Sequence, residues 1–185
     1  WVTLNLVLPE ANSSWLQEFS RGFFDLADRY SVALVGGDTS RGPLSVTATA
    51  GGWVPCDQAN RRSEAKIDDL IYVSGTLGDA ALGLNLLKKG EISIDDENNY
   101  FLKRLMRPEP RISLGQLLRP FASAVIDISD GFISDLGHVT TASGGLGAVV
   151  YEYLIPIHSE AISYCEQSEI LEMALTGGED YELCF

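Results

Sequence analysis

The chain has 185 residues, enough for one ordinary domain or two small ones, and 45% of them are hydrophobic, which excludes disorder over most of its length. A net charge of −13 leaves no basic footprint for a nucleic-acid backbone. It still permits phosphate ligands where Mg²⁺ bridges the like charges, although solubility alone is a sufficient reason for an acid excess.

Residues 1–8 alternate, with Val2, Leu4, Leu6 and Leu8 on one face of a predicted strand that Pro9 stops. Ser14 followed by Gln17 predicts a helix start. Trp15, Phe19, Phe23, Leu26 and Tyr30 then recur at helical spacing as a row expected to be core over a helix 13–29 packed on the sheet. Residues 32–36 read as a short strand running into glycines, and 44–54 as another. The polar stretch 55–69 reads as a linker or crossing loop, with a lobe boundary near 57–68.

Beyond it, "LIYVSG" predicts a strand, and a helix follows that ends at Gly90. Tyr100 opens another helix that the prolines of "MRPEPR" stop, and Arg111–Arg119 form a further one. "SAVIDISDG" predicts a strand ending in acids. A helix over 132–143, a strand in "LGAVVYEYLIP", mostly helix over 159–175 and a last strand at "YELCF" complete the pattern. Alternating strands and helices without an internal repeat indicate an α/β, or two-lobed α+β, architecture. The chain opens and closes inside strand patterns, so a fragment is expected.

Cys56, Cys165 and Cys184 match no zinc or redox spacing and are expected to be buried thiols in a reducing compartment. No apolar run reaches membrane-spanning length and no signal-peptide pattern is present, so the cytoplasm is the default expectation.

Three acidic clusters sit beside glycines at strand ends. Gly36 and Gly37 precede Asp38 and Thr39, a place where backbone N–H groups can approach an anion and Asp38 can hold a metal. In "DISDG", Asp127 and Ser129 share one strand face and Asp130 stands at the turn into a helix, a set suited to a hard cation. Gly177, Gly178, Glu179 and Asp180 form the third. Each cluster singly can be only a tight turn or a helix cap. Gly75–Asp79 is a possible phosphate loop but matches neither the P-loop nor the dinucleotide fingerprint. The two histidines, His138 and His158, suggest no catalytic triad, so any chemistry here is expected to be metal-centred.

The blocks "VGGDTSRGPLSVTATAGGWVP", "DDLIYVSGTLGDAALGL", "RPEPR", "AVIDISDGFISDLGHV" and "LTGGEDYEL", in this order and spacing, resemble thiamine-monophosphate kinases, within a superfamily similar to aminoimidazole ribonucleotide synthetase. The resemblance covers nearly the whole chain. It implies the aminoimidazole ribonucleotide synthetase-like α/β fold, incomplete at both ends. Residues 1–57 would be the remainder of an N-terminal ATP-binding and dimerisation domain, and 58–185 part of a C-terminal α/β domain. It further implies Mg²⁺-dependent, in-line transfer of the γ-phosphate of ATP to thiamine monophosphate, K⁺ as an optional second ion, and a homodimer.

By motif, Asp38 and Asp130 are implied as catalytic metal ligands sharing one cluster, with Asp127 as a further member. Gly36, Gly37, Thr39, Arg62 and Ser129 are implied on the nucleotide side, and Glu179 and Asp180 on the substrate side. Glu64, Ile67 and Asp68 stand where the family has Gly, Pro and Gly, so that turn is expected to differ. The family's N-terminal metal segment and the region after "YEL" are absent, so the fragment by itself is expected to be inactive. Another ATP-dependent enzyme of the superfamily, or a non-catalytic fold unit, are the competing readings.

Overall fold

A computed structural model describes all residues, 1–185. The chain divides into two compact units, Trp1–Cys56 and Asp57–Phe185.

The first unit is a three-stranded sheet with one helix. β1 (Val2–Leu8) lies between β2 (Leu34–Arg41) and β3 (Ser45–Ala50), in the order β2-β1-β3. β1 runs parallel to β2 and antiparallel to β3. The alternation read from residues 1–8 is real: Val2, Leu6 and Leu8 are buried and Asn5 is exposed. α1 (Ser13–Arg29) joins β1 to its parallel neighbour, and its N-cap is Asn12, whose side chain accepts the N–H of Trp15.

The aromatic row of α1 is not the core that its spacing predicts. Trp15 and Phe19 stack with ring centroids 5.1 Å apart, yet both are only half-buried, Leu26 is exposed, and Ala27 alone is buried. A three-stranded unit of this size has too little apolar surface to cover a whole helix face.

β2 also departs from expectation. It does not stop at the glycines but continues to Arg41, paired along its length with β1. The ladder continues because Gly37 has no side chain. Its φ is +152°, and a Cβ there would lie 1.8 Å from the Leu4 carbonyl oxygen.

The second unit holds α2 (Asp79–Lys89), α3 (Tyr100–Met106), α4 (Ile112–Leu118), β4 (Ile126–Ile128), α5 (Phe132–Ala142), α6 (Gln167–Thr176) and β5 (Glu182–Cys184). β4 and β5 pair antiparallel, placing Asp127 opposite Leu183. The strand expected over 70–75 is reduced to one bridge, Val73 with Cys184, supported by reciprocal backbone bonds between Tyr72 and Phe185. The strand expected in 146–156 does not form. That segment meets no strand edge, and it ends in a 3₁₀ turn, Glu152–Leu154, with Val149 and Tyr153 exposed.

Two apolar clusters hold this unit together. Leu77, Ile128, Phe132, Leu136, Ala174 and Cys184 form one; Leu82, Leu86, Phe101, Ala161 and Ile170 form the other. Each large buried side chain contributes about 1.5–3 kcal/mol. Ile128 and Phe132 bracket the acidic turn, so core packing on both sides fixes where residues 129–131 lie. Of the cysteines, Cys184 is buried, Cys165 half-buried and Cys56 exposed, so the expectation of three buried thiols holds for one. No helix is long and apolar enough to cross a membrane.

Candidate active site

In the second unit a cavity of about 650 Å³ opens beside the end of β4. Its wall includes Arg62, Arg111, Asp127, Ser129, Asp130 and His138. Alternation along β4 puts Asp127 outward and Ile128 inward, and Ser129 and Asp130 follow at the turn. Arg62 reaches the same wall because the stretch before it is tied down. The Arg61 carbonyl accepts the N–H of Val125 at 2.8 Å, and the Asn60 side chain donates to the Gly115 carbonyl.

The turn between β4 and α5 is shaped from below by Asp135, which sequence reasoning passed over. Its side chain is 3% exposed. One carboxylate oxygen, Oδ2, accepts the N–H of Ser129 at 3.0 Å and the N–H of Asp130 at 3.1 Å. Gly131 completes the bend with φ +117°, where a side chain would strike the Thr176 carbonyl. Asp130 is thereby exposed on a rigid support, and a carboxylate oxygen of Asp130, one of Asp135 and a ring nitrogen of His138 lie within 4.8 Å of one another. The spacing Asp-x₄-Asp across a helix start was the available signal. It reads equally well as an ordinary first-turn acid.

The third cluster lies against this one. Glu179 donates its N–H to the Ser129 carbonyl at 2.9 Å, and Tyr181 donates to the Ile128 carbonyl at 2.9 Å. Glu179 is exposed, with φ +70°, a backbone conformation unusual for a side chain of this size. Its carboxylate accepts the Tyr181 hydroxyl at 2.8 Å.

Asp180 turns inward instead. It is 1% exposed, and its carboxylate accepts the N–H groups of Gly78 at 2.7 Å and Ala80 at 3.1 Å, capping α2 from a distant part of the chain. Burial pushes its carboxyl up to about 6, against the pull of those two N–H groups. The loop 75–79 is accordingly a capped helix start with Thr76 and Tyr100 bonded to Asp79.

Arg62, Asp127, Ser129 and Asp130 thus share one cavity, and Glu179 adjoins their turn. Gly36, Gly37, Asp38 and Thr39 lie in the first unit, exposed on β2. Asp38 pairs with Asn5 and Thr39 with Leu6 in the ladder. At the turn where the resemblance puts Gly, Pro and Gly, Glu64 has φ +92° and Asp68 φ +71°, so both adopt a backbone that glycine takes without strain.

Residues 1–54 match the family described as AIR synthase related protein, N-terminal domain. The whole chain is 48% identical to the thiamine-monophosphate kinase of Salmonella typhimurium, of which it spans 57%. Among solved structures, the thiamine-monophosphate kinase of Stenotrophomonas maltophilia superposes with a TM-score of 0.95 at 45% identity, covering all of this chain and 60% of that one. AaThiL complexed with AMPPCP and TMP superposes at 0.84 with 31% identity, again over all of this chain and 60% of that one. The chain has the mixed α/β, AIR synthase-related fold, and over its whole length it is similar to a stretch covering 57% of the Salmonella typhimurium thiamine-monophosphate kinase and 60% of the Stenotrophomonas maltophilia one.

Proposed function

We propose that the protein carrying this chain is a kinase that transfers the γ-phosphate of ATP to thiamine monophosphate, giving thiamine diphosphate and ADP. The observation that carries this reading is one cavity gathering Arg62, Asp127, Ser129 and Asp130, in a chain 48% identical to a thiamine-monophosphate kinase. The structure of AaThiL with AMPPCP, an ATP analogue, and TMP supports the same pair of ligands.

In this reading an oxygen of the thiamine-bound phosphate attacks the γ-phosphorus in line, the bond from that phosphorus to the β-bridging oxygen breaks, and ADP departs. Asp127 and Asp130 suit a hard cation because they are exposed oxygen donors, one on β4 and the other on the rigid turn that follows it. They would hold Mg²⁺ there, and Asp38 would do so in the first unit. When bound, the ion neutralises charge on the transferring phosphoryl group. Arg62 and Ser129 contact phosphate oxygens, Gly36, Gly37 and Thr39 border the nucleotide, and Glu179 faces the acceptor. K⁺ as a second ion, a homodimer and a cytoplasmic location belong to the same proposal.

The test is a reaction of the full-length protein with ATP, Mg²⁺ and thiamine monophosphate, with products separated by chromatography. Thiamine diphosphate and ADP are expected in equal amounts, both abolished by EDTA. ADP released with orthophosphate and no thiamine diphosphate would contradict the assignment.

A further inference from the structure

Glu182 lies at the centre of a buried ion cluster that the reading above leaves unused. Its side chain is 1% exposed, and taking a carboxylate out of water is costly unless every lone pair is answered. Here they are. Nη2 of Arg104 donates to it at 2.8 Å and Nε of Arg111 at 2.7 Å; Nη2 of Arg111 and the hydroxyl of Ser74 donate as well. The backbone makes room for this arrangement, since a Cβ on Gly75 would sit 2.5 Å from a Glu182 carboxylate oxygen.

The two arginines are not equivalent. Arg104 is enclosed, with 10% of its side chain exposed, and its Nε faces Asp79 at 3.6 Å. Arg111 keeps 30% of its side chain exposed, and that side chain lies in the wall of the same cavity as Asp127, Ser129 and Asp130. Glu182 grips the Nε–Nη2 edge of its guanidinium in the two-pronged manner, so the group is held in one orientation. Its backbone is held too, because Arg111 follows Pro110 and is the N-cap of α4, its carbonyl accepting the N–H of Gly115 at 2.9 Å. A cation fixed this way loses little freedom when an oxyanion arrives, which is what preorganised recognition requires.

We propose that Arg111 is a phosphate-contacting residue of this cavity and that Glu182 is the residue that positions it. The inference rests on the cavity being the phosphoryl-transfer site. The phosphate concerned belongs either to the nucleotide or to the acceptor monoester, and the experiment separates the two.

Calorimetric titration of the full-length protein with AMPPCP, and separately with thiamine monophosphate, both with Mg²⁺, compares wild type with Arg111→Met, Arg111→Lys and Glu182→Gln. Arg111→Met is expected to weaken at least one probe tenfold or more; loss for AMPPCP alone assigns the nucleotide phosphate, loss for thiamine monophosphate alone the acceptor phosphate. Glu182→Gln, which leaves Arg111 in place but loosens its hold, is expected to weaken the same probe by a smaller factor and not the other. If Arg111→Met does not fold, Arg111→Lys decides, since it keeps the charge and loses the fork, and the same tenfold loss is expected. Both probes binding the folded Arg111 variants within twofold of wild type would overturn the inference. Wild type binding neither probe would instead contradict the reading of the cavity, and the inference with it.

Discussion

One oxygen of the Asp135 carboxylate accepts the backbone N–H of Asp130 at 3.1 Å, and the same oxygen holds Ser129. The exposed acid of the site is therefore presented by a buried one. Asp135→Ala leaves two amides of this turn without their acceptor. It is expected to lower stability by about 1–3 kcal/mol and to reduce phosphoryl transfer through misplacement of Asp130. Asp135→Asn, which retains an acceptor oxygen, is expected to recover most of both losses. A thermal melt beside the kinase assay checks this; equal behaviour of the Ala variant and wild type would remove Asp135 from the account.

The paired glycines of β2 differ in what surrounds them. A methyl group on Gly36 meets only the Thr3 methyl at 4.0 Å, whereas on Gly37 it would overlap the Leu4 carbonyl oxygen. Gly36→Ala is expected to change the melting temperature little. Gly37→Ala is expected to break the β1–β2 ladder and yield unfolded or insoluble protein. Equal stability of the two variants would contradict the packing described for the first unit.

Glu64 and Asp68 adopt positive φ, for which non-glycine residues pay about 1–2 kcal/mol each. Glu64→Gly and Asp68→Gly are each expected to stabilise by roughly 0.5–1 kcal/mol, after allowance for the greater flexibility of glycine in the unfolded chain. The exposed Arg61–Glu64 pair that the first change removes is worth about 0–1 kcal/mol and offsets part of that gain, so Asp68→Gly is the cleaner of the two. Denaturant titration of the single variants measures it, and destabilisation by both would refute the strain argument.

The buried acids give opposite pH dependences. Burial raises Asp180 to about 6, so the stability it confers is full below about pH 4, the unfolded carboxylate range, and is lost as pH rises through 6. The loss is about 3 kcal/mol across that window. For Glu182 burial pushes up, but hydrogen bonds from Arg111 and Ser74 and the charge of Arg104 outweigh it and hold the carboxyl below its ordinary value. Its contribution is present above pH 4.5 and is lost as pH falls. The stability advantage of wild type over Asp180→Asn should therefore shrink from pH 4 to pH 7, and that over Glu182→Gln should grow. Melts at both ends of that range, with the two differences moving in the same direction, would contradict these assignments.

The sequence was most informative where a local rule is strong. Alternation in residues 1–8, the helix stop at Gly90 and the acidic turn at 127–131 are each decided by neighbours in the chain, and each is where it was expected. Partner-dependent features were not legible. The apolar run 146–156 has strand composition but no edge to pair with, and the aromatic row of α1 has helix-core spacing but little to pack on. In the candidate site the exposed Asp127 and Asp130 and the half-buried Ser129 were readable from one motif. Asp135 lies only five residues beyond Asp130 but reads as an ordinary first-turn acid, and the Arg111–Glu182 contact spans 71 residues of sequence, which no local pattern encodes.

Asp130→Asn in the full-length protein is the most direct test of the central claim. Asparagine keeps the size and much of the hydrogen bonding of aspartate, and it caps a helix about as well, but it lacks the charge that would hold Mg²⁺. Measured at saturating Mg²⁺ and ATP, conversion of thiamine monophosphate should fall by orders of magnitude, mainly in kcat, with an unchanged thermal melt. Near-wild-type turnover with the same melt would make Asp130 a structural turn residue and contradict the site proposed in this cavity.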